Sequence, residues 1–301
     1  MELWIPITIF AAFMQNLRSM LQKVLKGRLS TSGATFSRFA YAAPLACLYA
    51  ATLVLFGGYA LPVPHFEFSA YMVTGGLAQI IATALLVYIF SFRNFAVGTT
   101  FSKTETIQTA MFGIVVLGEG ISFVATMAII VSLVGVMMIS VTKASLNVRD
   151  LMKHGLDRSA LIGIASGAFF GISAVSCRAA SLSLDSGNFV IRAAFTLACV
   201  TIFQTIVMAL YMRIREPGQI TAVLASWRVS AWVGCAGMLG SAGWFTAMTL
   251  QNAAYVRALG QIELLFTFGS SYLFFRERSN VTELFGIALV AVGILILVLL
   301  R

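Results

Sequence analysis

Apolar residues run through this chain in long, nearly unbroken blocks. They show neither the strict alternation of a half-buried strand nor the single stripe of a water-facing helix. A helix that crosses a bilayer takes about 20 apolar residues. Ten blocks reach that length: 3–22, 33–56, 69–91, 97–117, 122–142, 159–182, 189–212, 229–250, 255–275 and 281–300. Backbone groups in lipid must bond within the protein, so spans are helices or closed barrels. Barrel strands alternate and are short. The pattern therefore predicts an all-α polytopic membrane protein with ten transmembrane helices. The longest connectors, 143–158 and 213–228, are too short for a soluble domain.

The chain also matches itself at an offset of 158 residues. Asn94 falls on Asn252, Ala96 on Ala254, Glu105 on Glu263, Glu119 on Glu277 and Gly135 on Gly293. Upstream, Gly76 falls on Gly234, and small drifts in offset bring Arg38 over Arg192. Apolar helices align with one another by chance, but charges inside spans at matched places do not. Two repeats of five spans each enter the membrane from opposite sides, which is the inverted plan of many secondary transporters. The predicted organisation is a five-helix repeat over 1–142, a cytoplasmic connector over 143–158 and a second five-helix repeat over 159–301.

Composition agrees with a lipid environment: 59% of residues are apolar and only 10% charged, against about 25% charged in soluble domains. The net charge of +9 is read through the positive-inside rule rather than as a nucleic-acid surface. The connectors after spans 1, 3, 5, 7 and 9 hold thirteen Lys and Arg residues, and those after spans 2, 4, 6 and 8 hold none. This bias predicts odd connectors in the cytoplasm and both termini outside. Cys47, Cys177, Cys199 and Cys235 lie in apolar blocks without a CxxC pair, and read as small packing residues. The N-terminus opens with Glu2 and lacks a signal peptide's basic region and cleavage site, so it reads as the first span.

Ionisable groups inside spans are functional candidates. Glu105 lies about 12 Å into span 4 and Glu263 about 12 Å into span 9, at 1.5 Å per residue. Depth and the repeat together suggest two ion pairs, Arg38 with Glu105 and Arg192 with Glu263. On a continuous helix Lys103 and Glu105, two residues apart, point to nearly opposite sides. Glu105 then shares a face with Gln108, and Glu263 with Thr267. Gln15, Asn16, Gln79, Thr83, Tyr88, Gln204 and Trp244 are further candidates for a cavity wall. Arg18, Arg178 and Arg257 lie nearer span ends and read as interfacial. Glu119 and Glu277 stand where one helix gives way to the next, where a carboxylate stabilises a helix N-terminus. The Gly/Ala/Ser runs "GIASGAFFGISAVS" and "GCAGMLGSAGW" are surfaces on which helices approach closely.

With these residues in view, the chain resembles the EamA-like family of the drug/metabolite transporter superfamily along essentially its whole length. The resemblance rests on the two five-span repeats, on "SRFAYA" and "IRAAFT" at the starts of spans 2 and 7, and on the 14-residue intervals from Glu105 to Glu119 and from Glu263 to Glu277. Thr106 and Leu264 stand where the family often has Pro, Arg276 stands before Glu277 in place of Gly, and Lys103 is charged where the family is often neutral. The resemblance implies a bacterial inner-membrane transporter. Many members have cytoplasmic termini, opposite to the orientation that the connector charges predict.

The expectation is a secondary transporter of a small metabolite, amino-acid-like or amphipathic and anionic or zwitterionic, working by alternating access as an exporter. A drug or vitamin transporter of the same fold is the runner-up. No GxxxxGK[ST] motif is present, so no nucleotide cofactor is expected and coupling falls to a proton at Glu105 or Glu263, to exchange, or to the substrate gradient alone. An intramembrane enzyme is disfavoured because His65 and His154 lie in connectors of opposite faces and Asp150, Asp157 and Asp185 lie outside the spans; no catalytic residue or metal site is assigned. A channel is disfavoured too. The expected partners are a small-molecule substrate and the lipid bilayer, not nucleic acid, with the protein a monomer. Substrate or coupling roles fall to Lys103, Glu105, Gln108, Glu263, Gln15, Gln79, Tyr88, Trp244 and Thr267.

Overall fold

The structure is a computed structural model, and it describes residues 2–25, 29–89, 95–143, 158–185, 188–266, 269 and 280–300. The described secondary structure is helical: α1 (Trp4–Leu25), α2 (Thr31–Leu55), α3 (Phe66–Ile89), α4 (Phe95–Ser102), α5 (Glu105–Leu117), α6 (Phe123–Lys143), α7 (Arg158–Leu182), α8 (Phe189–Arg215), α9 (Gln219–Ala225), α10 (Trp227–Leu250), α11 (Ala253–Gly260) and α12 (Val281–Leu299). Seven of these, α2, α3, α6, α7, α8, α10 and α12, are long and apolar enough to cross a membrane, and the chain is read as an integral membrane protein. The other three predicted spans differ for stated reasons. Helix α1 carries Gln15, Asn16, Arg18, Gln22 and Lys23 along its length. The spans predicted over 97–117 and 255–275 are each interrupted by a turn, at Lys103–Thr104 and at Gln261–Ile262.

Helix starts are capped as their sequences require. Ser30 Oγ accepts from Gly33 N–H at 3.0 Å, Asn188 Oδ1 from Val190 at 2.8 Å and Asn252 Oδ1 from Ala254 at 2.8 Å. Each satisfies a backbone donor that the helix itself leaves open. Helix α5 ends on Gly118 at φ +65°, the left-handed conformation open to glycine. Its N–H reaches Ile114 O at 3.1 Å. The start of α6 is served by Ser122, whose Oγ accepts from Ala125 N–H at 3.1 Å. Ser122 stands three residues after Glu119, the residue for which the sequence predicted a helix-end role. Helix α9 falls in a connector for which the sequence predicted no element; Val223 is fully buried there, and Gln219 Oε1 accepts from Ser30 N–H at 3.3 Å.

The chain packs as two compact units, residues 1–77 with 176–251 and residues 78–175 with 252–301. Compactness therefore cuts the chain differently from the two sequence halves, since each unit draws helices from both. The first unit centres on small residues: Ala42, Ala46 and Ala50 of α2 pack with Ala193, Ala194 and Leu197 of α8 and with Met238 and Phe245 of α10. The four cysteines are free thiols, and Cys47 and Cys177 join this packing; Cys177 lies against Gly75, where a side chain on the glycine would meet its sulfur at 2.9 Å.

In the second unit α6 and α12 pack backbone to backbone. A Cβ on Gly135 would stand 2.5 Å from Gly286 O and 2.9 Å from Val290 Cγ2, and one on Gly293 would stand 2.8 Å from Ala128 O and would collide with Ser132 Oγ. A shift of 158 residues turns 135 into 293, 128 into 286 and 132 into 290. Each contact thus maps onto the other, as in a two-fold, self-complementary interface. Helix pairs in lipid gain their stability from such close approach. Filling it costs overpacking strain of about 1–3 kcal/mol. Gly286→Leu and Gly293→Leu should each lower the thermal unfolding midpoint in detergent. Gly113, with nothing within 4 Å of its Cβ position, should accept Ala at no cost, or gain up to about 1 kcal/mol of helix propensity.

Candidate functional site

The stretch Phe101–Thr109 carries Lys103, Glu105 and Gln108 in the middle of an apolar block, and the structure places a helix interruption there. At the end of α4 the bonding pattern tightens: Lys103 N–H donates to Thr100 O at 3.1 Å and Thr104 N–H to Phe101 O at 3.1 Å. Helix α5 then opens on Glu105, and Gln108 N–H returns to Thr104 O at 3.2 Å. The same bonds recur 158 residues later. Gln261 N–H donates to Ala258 O at 3.2 Å, Ile262 to Leu259 O at 3.0 Å and Phe266 to Ile262 O at 3.2 Å. Helices α4 and α11 are each eight residues long, and residues 263–266 are helical again. In both places the first residue after the turn is a glutamate. A short 3₁₀ turn inside a long helix is a recurrent mark of hinges and functional sites.

The interruption creates helix ends inside an apolar block, and charge follows them. Arg257 lies in the last turn of α11 and Glu105 in the first turn of α5. Cations are favoured at helix C-termini and anions at N-termini. The two meet with Arg257 Nε 3.2 Å from Glu105 Oε1, their side chains 16% and 21% exposed. Depth alone pointed to Arg38 as the partner of Glu105; the structure gives that place to Arg257. The sequence had put Arg257 near a span end as an interfacial residue. The turn at Gln261 makes its neighbourhood an internal helix end instead. Beside the ion pair, Gln261 Nε2 donates to Thr106 Oγ1 at 3.1 Å, so α11 is joined to α5 twice. Lys103 sits in the turn itself. Its expected opposition to Glu105 presupposed an unbroken helix, and the turn falls between the two residues. Among the described residues no carboxylate forms an ion pair with Lys103.

Helix α7 braces this turn with glycines at four-residue spacing. A Cβ on Gly163 would strike the backbone of Gly98, one on Gly167 would stand 2.9 Å from both Ser102 O and Gln108 Oε1, and one on Gly171 would stand 3.1 Å from Thr109 N. Residues four apart share a helix face, so the three form one surface against α4, the turn and α5. Gln108 spans the join: its Nε2 reaches Thr104 Oγ1 at 3.2 Å and Ile164 O at 3.3 Å. The small-residue run predicted to let helices approach has this specific target.

In the first unit the structure brings Gln15 and Trp244 together, with Trp244 Nε1 donating to Gln15 Oε1 at 3.1 Å. Stems of Arg18 and Arg38 flank Gly237 on α10, 3.5 and 3.4 Å from its Cβ position. Other candidates take structural places. Gln204 is fully buried and its Nε2 donates to Gly76 O at 3.3 Å. Arg178 donates to Met248 O and, at 2.7 Å, to Gln251 O, which satisfies the open carbonyls at the end of α10. Arg192 lies in the first turn of α8, half-buried. Gln79 and Tyr88 lie on α3, Gln79 half-buried and Tyr88 exposed, and the Gln79 carbonyl accepts from Thr83 Oγ1 at 2.8 Å. Thr267 and Glu277 lie outside the described residues. Sequence reasoning missed Arg257 and Gln261 as partners of span 4; their offset from Thr99 and Lys103 was the available signal.

No family model and no curated protein matches the sequence. A solved structure, described only as the crystal structure of a protein, shares the fold with a TM-score of 0.71 at 13% identity, over 98% of this chain and 96% of that one. The energetics of the Glu105–Arg257 contact are open to direct measurement. A double-mutant cycle with Glu105→Gln and Arg257→Gln should give a favourable coupling of about 1 kcal/mol, the upper end for partly exposed pairs. Thermal unfolding of the wild type, both singles and the double reads it; additive singles would show that the charges do not interact.

Proposed function

We propose that this protein is a secondary transporter that moves a small metabolite across a membrane by alternating access, built from two inverted five-helix halves, 1–142 and 159–301. The observation that carries the reading is the pair of interrupted helices. They lie 158 residues apart, have matching backbone bonds, and each resumes on a glutamate. Discontinuous helices near mid-membrane at a repeat interface are the usual site of substrate and coupling ions in secondary transporters. The reciprocal glycine contacts of α6 and α12 support the two-fold relation of the halves.

In this reading both glutamates belong to the moving machinery and the solute is amino-acid-like or amphipathic, anionic or zwitterionic. The protein acts as an exporter in a bacterial inner membrane with its termini outside, and a proton or solute exchange drives it. The resemblance to EamA-like transporters supports the metabolite class, with drugs or vitamins as the second choice.

Purified protein in liposomes, loaded with a mixture of amino acids and other small metabolites, should show saturable counterflow of at least one of them. Glu105→Gln and Glu263→Gln should each cut the exchange rate by about tenfold or more, as loss of a charged group within a transport site does. Normal exchange by both variants with unchanged pH dependence would end the proposal for these carboxylates.

A further inference from the structure

Resting on the transport reading, we propose that Arg257 is the receptor for a carboxylate on the transported solute, and that Glu105 occupies that receptor until the solute displaces it. Among the described residues two ion pairs are seen. One, His65 with Asp185, joins exposed side chains of connectors. The other is Glu105 with Arg257, inside interrupted spans. Charged groups within spans face a protein interior or a water-filled space rather than lipid. Both side chains are partly exposed, and in this proposal that exposure faces a water-filled space from which a dissolved solute reaches Arg257.

The contact is built to open. Nε and Oε1 stand 3.2 Å apart, but neither atom is aligned for a hydrogen bond with the other, so it is a charge contact rather than the stronger paired fork that arginine forms with a well-set carboxylate. Opening it does not part the helices, because Gln261 still bonds Thr106 across the same join. Both contacting atoms are buried, so the contact opens only as each charge gains a new partner, because a stranded buried charge is costly. Lys103 lies two residues from Glu105 and no carboxylate forms an ion pair with it among the described residues; in this proposal it receives Glu105 as Arg257 takes the solute. The group now on Arg257 is itself a carboxylate, and this identifies the chemistry that the position accepts. The matched turn carries Gln261 where this one carries Lys103, so the exchange belongs to one half alone.

The test uses full-length protein in detergent at constant ionic strength. Acetate, alanine and phenylacetate are titrated against acetamide, alaninamide and phenylacetamide, with the thermal unfolding midpoint as readout. At least one carboxylate should raise the midpoint saturably where its amide does not. Glu105→Gln should tighten that response about tenfold, as expected if the native carboxylate occupies the receptor about nine-tenths of the time. Arg257→Gln should abolish it. Should that variant not fold, Glu105→Gln/Arg257→Gln, which leaves neither charge alone, should fold and also show no response. The proposal is overturned if carboxylates and amides act alike, if none of the three carboxylates acts, if Glu105→Gln does not tighten the response, or if the double variant retains it. The transport reading fails separately: a carboxylate that binds through Arg257 without counterflow leaves the receptor and removes the transporter. A neutral or cationic solute exchanged at full rate by the double variant does the reverse.

Discussion

A helix that stops within an apolar block leaves backbone donors and acceptors that the protein itself must satisfy, and this constraint organises the second unit. At Lys103 and at Gln261 the last carbonyls of α4 and α11 are met by 3₁₀ bonds from the next residues. The turn at Lys103 is further held by the hydroxyl of Thr104, which donates to Phe101 O at 2.7 Å. Gln108 ties the same turn to α7, and α7 comes close enough only because Gly163, Gly167 and Gly171 present no side chains. Satisfaction of a few polar groups thus dictates small residues on a neighbouring helix far along the chain.

The same interruption explains where the charges sit. An unbroken span has no internal helix ends and gives no preferred place for a carboxylate or a guanidinium. Breaking it makes a C-terminus at Gly260 and an N-terminus at Glu105, and each attracts the charge of the opposite sign. Arg257 and Glu105 answer those ends and each other. The first unit is built differently: its charges serve helix ends and connectors, as Arg178 does for α10 and Asp185 for His65, while alanine-rich faces of α2 and α8 do the packing.

Much of the fold was legible because lipid imposes a simple rule on sequence. Blocks of apolar residues long enough to span must be helices, and seven of the ten predicted blocks are single helices of that kind. The interruptions were not legible, since Lys103–Thr104 and Gln261–Ile262 contain no Gly or Pro and the apolar blocks run on across them. The polar candidates were found by type and depth, and the structure places two of them, Glu105 and Gln108, at the interruption. Depth along one helix says nothing of which helix lies beside it, so Arg257 was passed over and the burial of Gln204 against Gly76 was not foreseen.

The sequence by itself determined the helical class and the 158-residue correspondence that pairs Glu105 with Glu263 and Gly135 with Gly293. Those follow from periodicity and position, which a chain carries in its order of residues. Only the tertiary structure decided that Arg257 answers Glu105, that Arg178 closes α10 and that compact units mix the two halves. Each of these depends on which helices become neighbours, and close approach of backbones at glycine faces, rather than any local preference, makes that choice.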